Sequence, residues 1–150
     1  MNEQAGGLLL ELESSFNAPP ERIFAMLTEP GELAKWWGPH GFALPGAELD
    51  LTVSGRYRFT MKPPDGDPFH LSGCFLEIDP PARLVYTFNW EEPAPGDRET
   101  IVELTLDAQK DGTRVSLSQG LFATNERLAL HRDGWSESFA KLRGVLESYG

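Results

Sequence analysis

NERLALHRDGWSESFAKLRGVLESY, residues 125–149, is the stretch that decides the fold. Leu128, Trp135, Phe139, Leu142, Leu146 and Tyr149 recur at helical spacing, so the segment reads as one long amphipathic helix. An aromatic stripe of this kind needs a partner surface. Gly134 interrupts it and costs about 1 kcal/mol relative to alanine, so a close backbone approach or a local bend is expected there.

The partner surface lies upstream. Leu8, Leu10, Leu12 and Phe16 alternate with polar positions, the period of a half-buried strand. Pro19-Pro20-Glu21 then opens a short helix carrying Ile23, Phe24 and Leu27. Pro30 ends it and starts a second helix, residues 30–37, closed by Gly38-Pro39. From Gly46 to Phe122 the pattern is strand, turn, strand. Tyr57, Phe59 and Met61 alternate with Arg56, Arg58 and Thr60. Leu84, Tyr86, Phe88 and Trp90 form another inward set, as do Val102, Leu104 and Leu106. Residues 69–79 read as a strand with both faces partly apolar, and Asp111-Gly112 marks a hairpin. The order is strand, two short helices, six hairpin-linked strands and a long helix. That is an α+β chain with an antiparallel sheet. One face of the sheet is the only surface large enough for the aromatic stripe, and the gap between them is the natural place for a ligand. We expect a flexible leader over residues 1–7 and a single domain over 8–150.

Charge and composition narrow the function. The chain has 150 residues and a formal net charge of −10. Residues 125–150 carry four basic and four acidic groups, so the excess acid lies entirely upstream of them. An acidic chain lacks the basic footprint that nucleic acid or an anionic membrane requires. The lone Cys74 has no partner for an internal disulfide and reads as a buried, inert thiol. No secretory signal precedes Leu8 and no apolar run approaches the roughly 20 residues of a membrane span. A reducing cytoplasm is the expected location.

The candidate binding residues are mostly aromatic. Trp36 and Trp37 are adjacent on a short helix and point about 100° apart. Either they rim a pocket or they anchor the helix to the sheet. His131 lies four residues before Trp135 and shares the apolar stripe, where it would bond a ligand or satisfy a buried neighbour. His40, His70 and His131 fall on a loop, a strand and a helix with no metal-ligand spacing, so no metal is expected. Arg56 and Arg58 either pair with carboxylates across the sheet or meet an acidic head group, depending on which face they occupy. Glu91 and Glu92 read as part of a solvated loop. No nucleophile elbow, zinc-protease motif or phosphate loop is present, and neither a catalytic set nor a cofactor is expected.

Four stretches together resemble the homologues of the activator of heat-shock-protein-90 ATPase, in the START-like, birch-pollen-allergen-like superfamily. They are residues 18–24 (APPERIF), residues 32–39 (ELAKWWGP), residues 73–84 with Ile78-Asp79-Pro80-Pro81-Ala82-Arg83-Leu84, and Gly134-Trp135 with Leu142. The resemblance runs from about Leu8 to Tyr149. One departure is Ser54-Gly55 where the family often has a glycine pair. The resemblance implies the helix-grip fold, a seven-stranded antiparallel sheet gripping the last helix, and a cavity between them. The expected function is binding of a hydrophobic or amphipathic small molecule there, in a stress or chaperone context. Trp36 or Trp37 would guard the entrance; Tyr57, Phe59, Phe88, Trp90, His131, Trp135 and Phe139 would form the walls. A protein-interaction module, either a chaperone cofactor or a homodimer, is the alternative. The family's chaperone activators carry a separate N-terminal domain for which this chain has no room, which counts against a chaperone partner. A START-like cyclase or hydrolase using His131 is the second alternative, with a non-enzymatic role preferred.

Overall fold

The computed structural model describes residues 8–149. The leader expected over residues 1–7 lies outside the described residues. Strand β1 (Leu10–Phe16) is followed by helices α1 (Pro20–Thr28) and α2 (Pro30–Trp36). Six strands come next: β2 (Ala43–Leu49), β3 (Arg56–Lys62), β4 (Phe69–Asp79), β5 (Arg83–Trp90), β6 (Thr100–Gln109) and β7 (Gly112–Gly120). Helix α3 spans Asn125–Tyr149. The sheet has the order β1-β7-β6-β5-β4-β3-β2, with every neighbouring pair antiparallel. It is the α+β helix-grip architecture expected.

The alternation of the sequence is the alternation of burial. On β3, Tyr57, Phe59 and Met61 are buried, while Arg56 and Arg58 face water. The two arginines are therefore on the outer face. Strand β4 looked apolar on both faces because its register shifts between Phe75 and Glu77. Leu76 falls on the outer face by simple alternation, 44% exposed beside the buried Phe75, and the irregularity then turns Ile78 partly onto the core. Only glycine serves at position 73, where a Cβ would lie 2.0 Å from the Thr87 carbonyl oxygen. Tyr57, opposite Gly73 in the register, sends its hydroxyl past it to donate to Thr87 O at 2.6 Å.

The Ser54-Gly55 turn is tightly constrained at both residues. Ser54 itself takes a left-handed backbone, with φ of 71°, and a Cβ at Gly55 would meet Asp50 O at 2.2 Å. Helix α1 starts with Pro20 in its first turn and Glu21 beside it, as a free N-terminus favours. Since β1 and β2 are opposite edges of the sheet, α1 and α2 connect them across its concave face.

Helix α3 packs closest to α2 and β1. Arg143 ties it to β1, with its guanidinium donating to Ser14 Oγ and its Cζ 4.9 Å from the Phe16 ring centre. Of the close approach or local bend expected at Gly134, the close approach is not found. The helix runs through it, and a Cβ there would meet nothing nearer than Pro39 Cγ at 3.7 Å. Among the described residues, no helix is long and apolar enough to cross a membrane.

Candidate functional site

Between α3 and the outer half of the sheet lies a cavity of about 490 Å³. Its floor is Met61 from β3, Phe69 from β4, and Phe88 and Trp90 from β5. Its roof is one stretch of α3, from Arg127 to Ser138, with His131 and Trp135 at the centre. The segment after α2 contributes Trp37, Gly38, Pro39 and Phe42 to one side, and the β5–β6 loop adds Glu92, Ala94 and Asp97 to the other.

The aromatic rings hold each other in place. Trp37 stands edge-on to both Phe59, at 5.1 Å between ring centres, and Trp135, at 5.0 Å. Phe88 meets Trp90 at 5.2 Å and 90°. Phe42, Phe69 and Trp90 continue the row at 6.1 and 5.3 Å. Such pairs each add about 0.5–1.5 kcal/mol beyond their area, which makes a stiff wall.

Three polar arrangements fix the helix over this wall. The Trp135 indole N–H donates to Gln119 Oε1 at 2.8 Å, and Gln119 Nε2 donates to Thr100 Oγ1 at 2.9 Å. Gln119 is fully buried, and these bonds offset its desolvation. His131 Nδ1 lies 2.6 Å from the Arg127 carbonyl, while the Trp90 indole N–H donates to His131 Nε2 at 3.0 Å. An indole only donates and a carbonyl only accepts, so His131 is the neutral tautomer with its proton on Nδ1. Burial also pushes its pKa below the ordinary 6.5. Third, α3 clamps the segment that carries Trp37. Ser138 Oγ accepts from Gly38 N–H at 3.0 Å and Glu137 Oε1 from His40 N–H at 2.9 Å. Lys141 Nζ donates to the carbonyls of Gly38 and Pro39 at 3.0 and 3.3 Å.

The β5–β6 loop is tied down as well. Arg127 Nε donates to Asp97 Oδ1 at 2.8 Å, and Asp97 Oδ2 accepts from Ala94 N–H at 2.8 Å. Outside the rim, Arg58 grips Glu91 with two bonds of 2.9 and 2.8 Å. The His70 ring nitrogen lies 2.7 Å from Glu92, which also accepts the His70 backbone N–H. His70, Glu91 and Glu92 bring ligand atoms within 4.8 Å of one another. Arg58 and His70 already hold the two carboxylates, one by an ion pair and the other by hydrogen bonds, so the group reads as a structural network.

The structure brings together Trp37, Phe88, Trp90, His131 and Trp135 of the residues singled out in the sequence. It places the others elsewhere. Trp36 is fully buried and donates its indole N–H to Met26 O at 2.9 Å, which makes it an anchor of α2. Phe139 packs against Phe16 at 5.6 Å and Trp36 at 6.4 Å. Tyr57 and Phe59 line a small interior void on the far side of Trp37, with Tyr86 and Phe75. Cys74 is half-buried, 3.8 Å from Thr87 Oγ1. Sequence reasoning missed Phe42, Phe69, Glu92, Asp97 and the clamp on α3. Phe69 had a signal, since it starts β4 in phase with the buried Leu71, Gly73 and Phe75. Phe42 lies in irregular chain and had none.

A sheet with this strand order, gripping one long helix over an aromatic cavity, is a known design. Residues 17–147 match the family described as Activator of Hsp90 ATPase homolog 1-like protein. The chain belongs to this family. Solved structures of similar proteins share the fold. Protein CV1439 from Chromobacterium violaceum is 26% identical, with a TM-score of 0.82, and the match covers 93% of this chain and 96% of that one. Protein NE0264 from Nitrosomonas europaea is 27% identical, with a TM-score of 0.80 and coverage of 95% and 96%. The AHSA1 (SPO3351) protein from Silicibacter pomeroyi is 27% identical, with a TM-score of 0.80 and coverage of 95% and 99%. No curated protein matches the chain. In this family member the double tryptophan divides its labour: Trp36 holds the fold and Trp37 faces the cavity.

Proposed function

We propose that the chain binds a hydrophobic or amphipathic small molecule between the sheet and α3. One observation carries this reading: the cavity of about 490 Å³, walled by Trp37, Phe42, Phe69, Phe88, Trp90 and Trp135, lies where side chains would otherwise fill the core. Burying apolar ligand surface there returns about 25 cal/mol per Å² before the costs of binding. His131 is held neutral and adds a polar spot without adding charge. Membership of the family supports a ligand-binding or cofactor-type role in general.

The test is titration with a neutral polycyclic probe such as pyrene, followed through tryptophan emission. Saturable quenching at micromolar probe is expected. The Gly134→Leu variant, which places a side chain on the cavity roof, should abolish it while keeping the circular dichroism spectrum. No saturable binding, or equal binding by that variant, sinks the reading.

Protein interaction is the second reading. On the outer face, Leu9 and Ile101 flank Gly120, and with Leu121 they are 41–43% exposed. Such a patch suits a homodimer contact, and a monomer by light scattering would count against it. The enzymatic alternative has less support, because both ring nitrogens of His131 are committed to hydrogen bonds. We also propose a cytoplasmic setting, which suits a single half-buried thiol.

A further inference from the structure

We propose that the preferred ligand is an amphipathic cation, with its apolar body on the aromatic floor and its positive charge at the mouth. This rests on the small-molecule reading above and adds the sign of the ligand's charge. The cavity carries four carboxylates, Glu92, Asp97, Asp133 and Glu137, against a single guanidinium, Arg127. Arg127 and Asp97 cancel each other. Their ion pair is 2.8 Å long and the Asp97 side chain is only 7% exposed, so neither charge is available to a ligand.

Three acids remain. The neighbouring His70 ring holds the Glu92 carboxyl below the usual carboxylate range, so Glu92 is ionised. Glu137 accepts a backbone N–H from His40, which leaves its charge in place. Asp133 is exposed and makes no ion pair among the described residues. Among the described residues, two further bases bond to lining residues through their side chains. Lys141 feels the charge of Glu137, and its ammonium is held on the carbonyls of Gly38 and Pro39. His70 stands outside the walls, against Glu92. His131, inside, is neutral. An anionic head group would therefore meet carboxylates, with no unpaired Arg or Lys among the described lining residues to receive it. An ammonium would be drawn to the rim by charge and could rest on the faces of Trp37, Trp90 or Trp135.

Decyltrimethylammonium, decanol and decanoate have the same tail and differ in charge. Their binding should be measured by tryptophan emission below the micelle concentrations, at pH 8 and at low salt. The ammonium should bind about tenfold tighter than decanoate, with decanol between them, and the gap should shrink at high salt. Asp133→Asn should reduce the ammonium's advantage about threefold and leave decanol unchanged. Asp111→Asn, in the hairpin at the opposite end of β6, should change neither. The charge proposal is overturned if decanoate binds as tightly as the ammonium. It is equally overturned if Asp111→Asn matches Asp133→Asn, because the overall charge of −10 would then explain the preference. In both cases binding of decanol leaves the small-molecule reading standing. If none of the three binds, both proposals fail.

Discussion

The space between α3 and the sheet has two ends, built from the same kind of residue to opposite effect. At the α1–α2 end, Trp36, Phe16 and Phe139 meet as a filled core. At the end near the β5–β6 loop, Trp37, Phe88, Trp90 and Trp135 surround open volume. Aromatic content does not separate them. The difference is what the connection from β1 to β2 supplies. Helices α1 and α2 insert Ile23, Phe24, Leu27 and Leu33 into the first end. Nothing comparable reaches the second, where only the segment after α2 and the β5–β6 loop approach. A cavity in this fold is thus a place the short helices do not cover.

The largest effect should separate the two tryptophans. Trp36→Ala should cost about 3–5 kcal/mol in urea unfolding, since it empties a fully buried site and strands the Met26 carbonyl. Trp37→Ala should cost distinctly less, because its ring already faces open space, and should chiefly alter probe binding. Equal losses of stability in the two variants would break the comparison.

A smaller effect concerns His131. His131→Leu leaves the Trp90 indole N–H without its acceptor and should cost about 1 kcal/mol at neutral pH. The pH dependence has a definite sign. The folded pKa lies below the ordinary 6.5, so the unfolded chain takes up the proton first. Stability contributed by the neutral ring is complete above about 6.5 and falls as pH drops toward the lowered folded value. Unfolding midpoints of the wild type should therefore decline more steeply below pH 6.5 than those of His131→Leu. Parallel curves would mean that His131 is not a buried neutral group.

The smallest effect is a gain. Gly134→Ala meets no atom closer than 3.7 Å and should add about 0.4–1 kcal/mol in the same assay. Because Gly134 lines the cavity, the added methyl should also weaken binding of bulky probes slightly. A loss of stability would show that the roof is tighter than its geometry implies.

Much of this fold was legible because period two and period 3.6 are imposed by which face is buried. Helix α3 was read with its ends in place, Asn125 and Tyr149. The ends of β2 were less clear, since its register shifts between Ala43 and Gly46 and its burial does not alternate cleanly. The site was legible only in part. Alternation says that Phe59 and Phe88 both face inward, but not that one is covered by Trp37 and the other by empty volume. That depends on the reach of α1 and α2, which no local pattern encodes. Glu92, read as part of a solvated loop, is indeed exposed, but neither it nor Asp97 carried a sign of the cavity it borders. A carboxylate in a proline-rich loop looks solvated until the fold brings His70 or Arg127 to it.

The chain of bonds from Trp135 through Gln119 to Thr100 acts as a locating pin. Apolar stripes are forgiving: a helix can slide or roll on oily rings at little cost. Displacing α3 by one turn would strand an indole N–H and a buried amide together, each a penalty of about 1–3 kcal/mol. The helix therefore has one seat on the sheet. The aperture beneath it, only a few side chains from that seat, inherits the same tolerance.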